Sequence, residues 1–266
     1  MPSKTAENAK RIERVAMKGG ADKVGFADTR KLLGIFVHPA NLLEEFPCAI
    51  SIVAGLDKWK KYDSSAEDEF AFPLLEKVAG DVKRTIEKMG YSAKVILPDK
   101  RVAHNSPLYW KGEVSHKAVA KTAGLGWIGR STLLVTPELG PRVCLATIFT
   151  DTSLPPGSPL MNRCGSCRLC ILSCPRKALH RSSFADHPER IEQAIDVKAC
   201  GSSVNRIWKD KRMCYECMLV CPIGKRTKQG RNENRERVSR AAVEFCPTSR
   251  RSTNRGSPAT RPARTA

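Results

Sequence analysis

The chain has 266 residues, 41% of them hydrophobic and 6% aromatic, and its 46 Lys/Arg outnumber 27 Asp/Glu for a formal net charge of +19. That length leaves room for one large domain or two modest ones, each with its own core. Its eleven cysteines would mark a secreted disulfide scaffold only behind a signal peptide; Met1 to Lys18 is instead polar, with Lys4, Lys10, Arg11, Arg14 and Lys18 and no apolar h-region.

The longest apolar stretch, around Ala49 to Leu56, is far too short for a membrane span. The expectation is a cytoplasmic protein with no membrane partner, in a compartment where thiols stay reduced. The excess charge admits tRNA or another anionic partner. Nearly half of it lies from Lys225 onward, where twelve Lys/Arg face three acidic residues. Ser252 to Ala266, rich in Arg, Pro, Thr and Ser, has the composition of a solvated tail.

In chain order, Ala6 to Met17 has helical spacing and stops at Gly19-Gly20; Val24 to Ala27 reads as a short strand. Pro47 to Leu56, with Ile50, Ile52 and Val53, is a continuous apolar run suited to a strand buried on both faces. Leu75, Val78, Val82, Ile86 and Met89 recur every three or four residues and Gly90 closes a helix. Tyr91 to Leu97 follows as a strand, so the order is that of a mixed α/β layer. Cys48 and Cys144 read as small core residues.

Arg101 to Glu113 lacks periodicity and carries His104, Asn105, Tyr109 and Trp110; it either lines a site or folds its aromatics inward. Ser115 caps a short helix to Ala123. Then comes Gly124-Leu-Gly126-Trp127-Ile-Gly129, which as text is GxGxxG. A dinucleotide fingerprint needs a strand before the glycines and a helix after, and here the order is reversed. The glycines either let backbone pass close to something flat or bulky, or make a tight helix-to-strand turn. Thr132 to Thr136 and Val143 to Thr150, joined by Pro137 to Pro141, are predicted to form a hairpin. Asp151 to Pro159 is a Pro/Gly/Ser link. Asp186 and Pro188 open a predicted helix to Ile195, and Glu233 to Phe245 is another; Cys246 reads as a free thiol.

The chemistry is carried by Cys164-x2-Cys167-x2-Cys170-x3-Cys174-Pro and its second half, Cys214-x2-Cys217-x3-Cys221-Pro, with Cys200 upstream. In such a run three thiolates grip three corners of one 4Fe-4S cube and the fourth serves its neighbour. The crossing rule shares them out as Cys164, Cys167, Cys170 and Cys221 for one cube, and Cys174, Cys200, Cys214 and Cys217 for the other. Zinc has no use for a third cysteine two residues on, and disulfides do not suit this compartment.

The stretch Ala123-Gly-Leu-Gly-Trp-Ile-Gly-Arg-Ser-Thr-Leu-Leu, then Thr150-Asp151, then Cys164-Gly-Ser-Cys167 and the separated second cysteine set, resembles the epoxyqueuosine reductase family over roughly residues 20 to 222. The resemblance implies an α/β (α+β), cobalamin-reductase-like domain over 1–152, a ferredoxin-like double 4Fe-4S domain over 153–224, and a basic helix and disordered tail over 225–266. It implies two 4Fe-4S clusters paired with a cobalamin, a low-potential electron donor of flavodoxin or ferredoxin type, and reduction of the epoxide of a modified tRNA base to an alkene. The corrin ring would lie against the first domain, near Gly124, Gly126, Trp127 and Gly129.

Three features depart from the family pattern. A basic tail stands where full-length members carry helical repeats. Arg130 replaces the usual lysine. The family's proton-donating aspartate falls, on an ungapped count, at Trp110, and Asp99 and Glu113 are not in a matching context, so no catalytic residue is assigned. A ferredoxin-like carrier without its own substrate is the competing function, but the residues before Cys164 are far more than a ferredoxin needs.

Overall fold

The computed structural model describes residues 3–35, 37–39, 41–56, 70–98, 112–181, 184, 188, 190–200 and 214–224. The loop bearing His104 to Trp110, Asp99, Asp186, the predicted helix Glu233 to Phe245, Cys246 and the basic tail lie outside them.

The first helix, α1, spans Lys4–Gly19; the Ser3 hydroxyl caps it and Gly20, at φ 111°, ends it, because a left-handed residue is cheapest as glycine. Ala9, Ile12 and Ala16 form its buried stripe. Strand β1 (Lys23–Asp28), a 3-10 turn (Thr29–Leu32), the short α2 (Leu42–Glu45) and β2 (Cys48–Gly55) follow. Helix α3 (Phe72–Lys88) buries Leu75, Val78, Ala79, Val82 and Ile86, and leads into β3 (Ala93–Ile96). Thus the predicted helix, strand, strand, helix, strand order is present.

The remaining elements are α4 (His116–Thr122), β4 (Trp127–Ile128), β5 (Leu134–Val135), β6 (Val143–Thr150), α5 (Leu169–Leu172) and α6 (Glu216–Leu219). The main sheet has the order β1-β2-β6-β3 with all neighbours antiparallel. Strand β2 pairs with β6 from Cys48 opposite Thr150 to Gly55 opposite Val143.

Antiparallel sheets often leave one face wet and then alternate apolar with polar residues. Here both faces are covered. Ile50, Ile52, Ala54, Cys144, Ala146 and Ile148 pack with α1 and α3, whereas Ala49, Val53, Leu145 and Phe149 pack with Leu32, Leu42, Val119 and Ala120. The continuous apolar run of β2 follows from this double cover, and full burial of each Ile or Phe contributes about 1.5–3 kcal/mol. Cys144 is buried in the core as expected; Cys48 is half-buried against it.

Two expectations are corrected. The Thr132–Thr150 stretch is not a simple hairpin: only Thr136 and Gly140 bridge, while β5 pairs with β4 and β6 with β2 and β3. Each arm finds its partner in a different sheet, and Ile223 and Gly224 pack on the turn between them, where a Cβ on Gly140 would come 2.1 Å from the Ile223 carbonyl oxygen. The helix predicted from Pro188 to Ile195 is, among the described residues, a single 3-10 turn at Ile191–Gln193. Its continuation is taken up by backbone pairing: His180 N–H donates to the Ala194 carbonyl and Asp196 N–H to the Ala178 carbonyl.

Candidate metal centre

The cysteine segment is tied to the sheet layer at named points. The Asn162 amide donates to the Ile128 carbonyl at 3.0 Å and its oxygen accepts from Cys164 N–H at 2.9 Å, so one side chain joins β4 to the first cysteine. The Arg130 guanidinium donates to the Gly165 carbonyl at 2.7 Å. At the other end Arg142, buried in β6's approach, donates to the Ile223 carbonyl at 3.1 Å. Tyr215 and Met218 of the second cysteine group are buried in the same apolar cluster as α1 and α3.

The short helices α5 and α6 carry Cys170 and Cys217 at equivalent places in their two runs. Burial, and then the neighbouring Cys164, Cys167 and Cys221, push the Cys170 thiol up to about 12. Cys217 is likewise pushed up to about 12 by burial, then by Cys214, Cys170, Cys200 and Cys174. Cys200 is raised by burial and by Cys174 and Cys214, and Cys214 by burial first, with Cys174 among its neighbours. These thiols therefore gather from three separated places, Cys164–Cys174, Cys200 and Cys214–Cys221, and each would have to shed its proton to a metal.

Among the described residues no three His, Cys, Asp or Glu close on a point as the ligands of one ion. The two observations are compatible. A tetrahedral zinc site draws its sulfurs to within about 4 Å of one another, whereas a cube keeps its four thiolates apart on four corners. The donor chemistry and crossed pairing fit cubes. One protein N–H already points to a ligand sulfur: Ala178 donates to Cys174 Sγ at 3.3 Å, a contact of the kind that tunes cluster potential.

The glycine motif lies alongside. Gly124 has φ 77°, and a Cβ there would fall 2.5 Å from the Ser158 carbonyl oxygen; a Cβ on Gly126 would fall 2.3 Å from that of Val135. The chain's own backbone occupies both places, so close packing at a tight turn requires glycine at these two positions. Gly129 is different: a Cβ there would lie 3.5 Å from Cys164 Sγ, so β4 ends against the first thiol. Trp127 is 2% exposed, with Arg163 over its ring at 5.8 Å, and its indole N–H is buried without a hydrogen-bond partner. A buried donor of this kind calls for an acceptor.

Two residues of α4 escaped sequence reasoning. The Lys117 ammonium donates to the Thr132 carbonyl at 2.6 Å. Lys117 keeps some exposed surface as a residue, but its charged end sits among dense atoms; burial pushes it below the lysine range and the Cys217 thiol pulls the other way. His116 Nδ1 lies 2.8 Å from Thr147 Oγ1, and burial lowers the imidazole to about 4 despite a hydrogen bond at Leu97 backbone. The one available signal was a lysine in the first turn of a helix, where the dipole disfavours it.

No protein-family model matches the chain. It is 35% identical over 116 residues to the epoxyqueuosine reductase of Bacillus anthracis, which covers 43% of this chain and 30% of that protein. It is 28% identical over 156 residues to that of Aliivibrio fischeri, 56% of this chain and 37% of the relative. These matches thus span about a third of each relative's length. Among solved structures, a catabolic reductive dehalogenase aligns with TM-score 0.67 and 22% identity over 91% of this chain and 36% of that one. An epoxyqueuosine reductase bound to an epoxyqueuosine-modified tRNA-Tyr stem loop aligns with TM-score 0.57 and 21% identity, over 82% and 65%. At such identity the structural likeness is one of fold.

Proposed function

Taking the chain as a relative of the epoxyqueuosine reductases, we propose that it is an iron-sulfur reductase with two 4Fe-4S clusters, one on Cys164, Cys167, Cys170 and Cys221 and the other on Cys174, Cys200, Cys214 and Cys217. The observation that carries this is the crossed neighbourhood of the thiols: Cys221 of the second run stands by Cys170, and Cys174 of the first by Cys214 and Cys217. The clusters would supply one-electron transfer at low potential.

What the chain's own residues do can be stated. Asn162 and Arg130 hold the first cysteine loop against β4, and Gly129 lets that strand end beside Cys164. Met218 and Tyr215 seat the second run in the apolar core, and Ile171 and Val220 are buried within the segment. Dry surroundings and N–H···S contacts set cluster potentials.

A cobalamin is the electron acceptor suggested by likeness to a dehalogenase described in terms of B12-dependent dehalogenation. By likeness to the family, Gly124, Gly126, Trp127 and Gly129 would lie near it. The tRNA complex of one structural relative and the +19 charge together support tRNA as partner, with a flavodoxin or ferredoxin as electron donor and the cytoplasm as compartment. A carrier without substrate would leave the six-stranded front part without a task.

The test is anaerobic purification with iron, sulfide and cobalt analysis and EPR. About eight iron and eight sulfide per chain are expected; a preparation holding zinc, or neither iron nor sulfide, overturns the proposal. Cobalamin added to the loaded protein should bind and be reduced, and indifference to it would leave the carrier function standing.

A further inference from the structure

Three consecutive residues at the end of β4 grip the first cysteine loop. The Ile128 carbonyl accepts from the Asn162 amide at 3.0 Å, a Cβ on Gly129 would lie 3.5 Å from Cys164 Sγ, and the Arg130 guanidinium donates to the Gly165 carbonyl at 2.7 Å. The same residues open the turn that leads to β5. It is closed by Thr132 N–H donating to the Gly129 carbonyl at 2.8 Å and by Gly129 N–H donating to the Leu133 carbonyl at 2.9 Å. The turn is therefore a socket for Cys164, and its shape sets where that sulfur stands.

That shape is strained. Thr132 has φ 62°, a left-handed conformation that crowds Cβ against the following carbonyl and is an outlier for a β-branched residue. Left to itself, Thr132 would return to negative φ and carry the turn with it. Such a conformation persists only where the surrounding contacts over-determine it. Thr132 is 6% exposed, and the contact that fixes its carbonyl comes from a different element: the Lys117 ammonium, in the first turn of α4, donates to it at 2.6 Å. The N–H and the carbonyl of Thr132 are thus both tied, which leaves the dihedrals between them no freedom.

We infer that Lys117 is a positioning residue for the first cluster: by clamping the Thr132 carbonyl it locks the 129–132 turn, and the locked turn keeps Cys164 on its corner of the cube held with Cys167, Cys170 and Cys221. This rests on the two-cluster proposal. It makes α4 a support of the first ligand, acting through the turn.

The test follows anaerobic iron release to a chelator from loaded protein, with iron counted beforehand in every variant. The first cube is the phase that Cys170→Ser lacks. Lys117→Met should speed that phase about tenfold or more, the scale of one lost hydrogen bond of this kind, and leave the other within about twofold of wild type. Thr132→Gly adopts the left-handed conformation freely and so removes the need for a clamp; combined with Lys117→Met it should return the first phase to within about threefold of wild type. If Lys117→Met does not fold, Lys117→Ala, which suits a helix, carries the same expectation. First-cube release that stays within about twofold of wild type, equal acceleration of both cubes, or no restoration by Thr132→Gly each overturn the inference. Wild type without iron overturns the cluster proposal instead, and the iron count tells the two failures apart.

Discussion

Strand β2 is paired along both edges and buries seven of its eight residues, with α1 and α3 on one side of the sheet and α4 on the other. Helices α5 and α6 of the cysteine segment, by contrast, are four residues long, and its eight cysteines are all only half-buried. A four-residue helix does not sustain itself, since nucleation costs more than so few hydrogen bonds return. The front layer therefore has an apolar core to stand on, while the cysteine segment must draw on metal ligation and on docking contacts from Asn162, Arg130, Arg142 and Met218. Where a metal site does not exist in the unfolded chain, binding free energy becomes folding free energy.

Stripping iron anaerobically with a chelator should break the contrast most visibly. Residues 164–181 and 214–224 should lose amide protection in hydrogen exchange while β2 and β6 keep theirs. Cys170→Ser should remove about four iron atoms and unprotect the segment in part. Equal loss of protection in β2 and around Cys170 would show that the two regions share one source of stability.

A cavity in the front layer should have the opposite signature. Ile52 is fully buried between the sheet and the α1–α3 layer, so Ile52→Ala should cost about 2–5 kcal/mol in urea unfolding of the loaded protein. Iron content per folded chain should stay unchanged. Loss of iron at the same stoichiometry as loss of fold would instead tie cluster retention to the core.

The smallest effect concerns pH. His116 is held neutral, with its pKa lowered from 6.5 to about 4, chiefly by burial. Its contribution is fully present above the unfolded value of about 6.5 and is lost as pH falls toward the folded value of about 4, because the unfolded chain takes up the proton first. By pH 5 this amounts to about 2 kcal/mol. His116→Gln should flatten the stability of the front layer between pH 7 and 5, measured by urea unfolding; identical slopes in wild type and variant would remove His116 from that role.

Much of this molecule was legible as text. The amphipathic periods of α1 and α3, with glycine stops at Gly20 and Gly90, gave their boundaries to within a few residues, and Ser115 marked the start of α4. Cysteine spacing carries the cluster proposal in the same way, because ligand positions on a tight loop are a local matter. Beyond a few residues such cues fade. The Thr132–Thr150 segment has the residues of a hairpin, yet its arms join different sheets because β6 finds long-range partners in β2 and β3 while β5 pairs with β4. The glycines at 124 and 126 read as either a close-approach site or a tight turn, and only the fold shows that the Ser158 and Val135 backbones press on them.

The sequence by itself determined helices α1 and α3, the start of α4 and the two-sided burial of β2, since each shows in the spacing of residues within a few turns of one another. Only tertiary structure decided that the sheet runs antiparallel in the order β1-β2-β6-β3, that Cys221 lies by Cys170, and that the Lys117 ammonium is anchored on the Thr132 carbonyl. Those are long-range packing outcomes, and a lysine's text is the same whether its ammonium ends in water or on a backbone carbonyl.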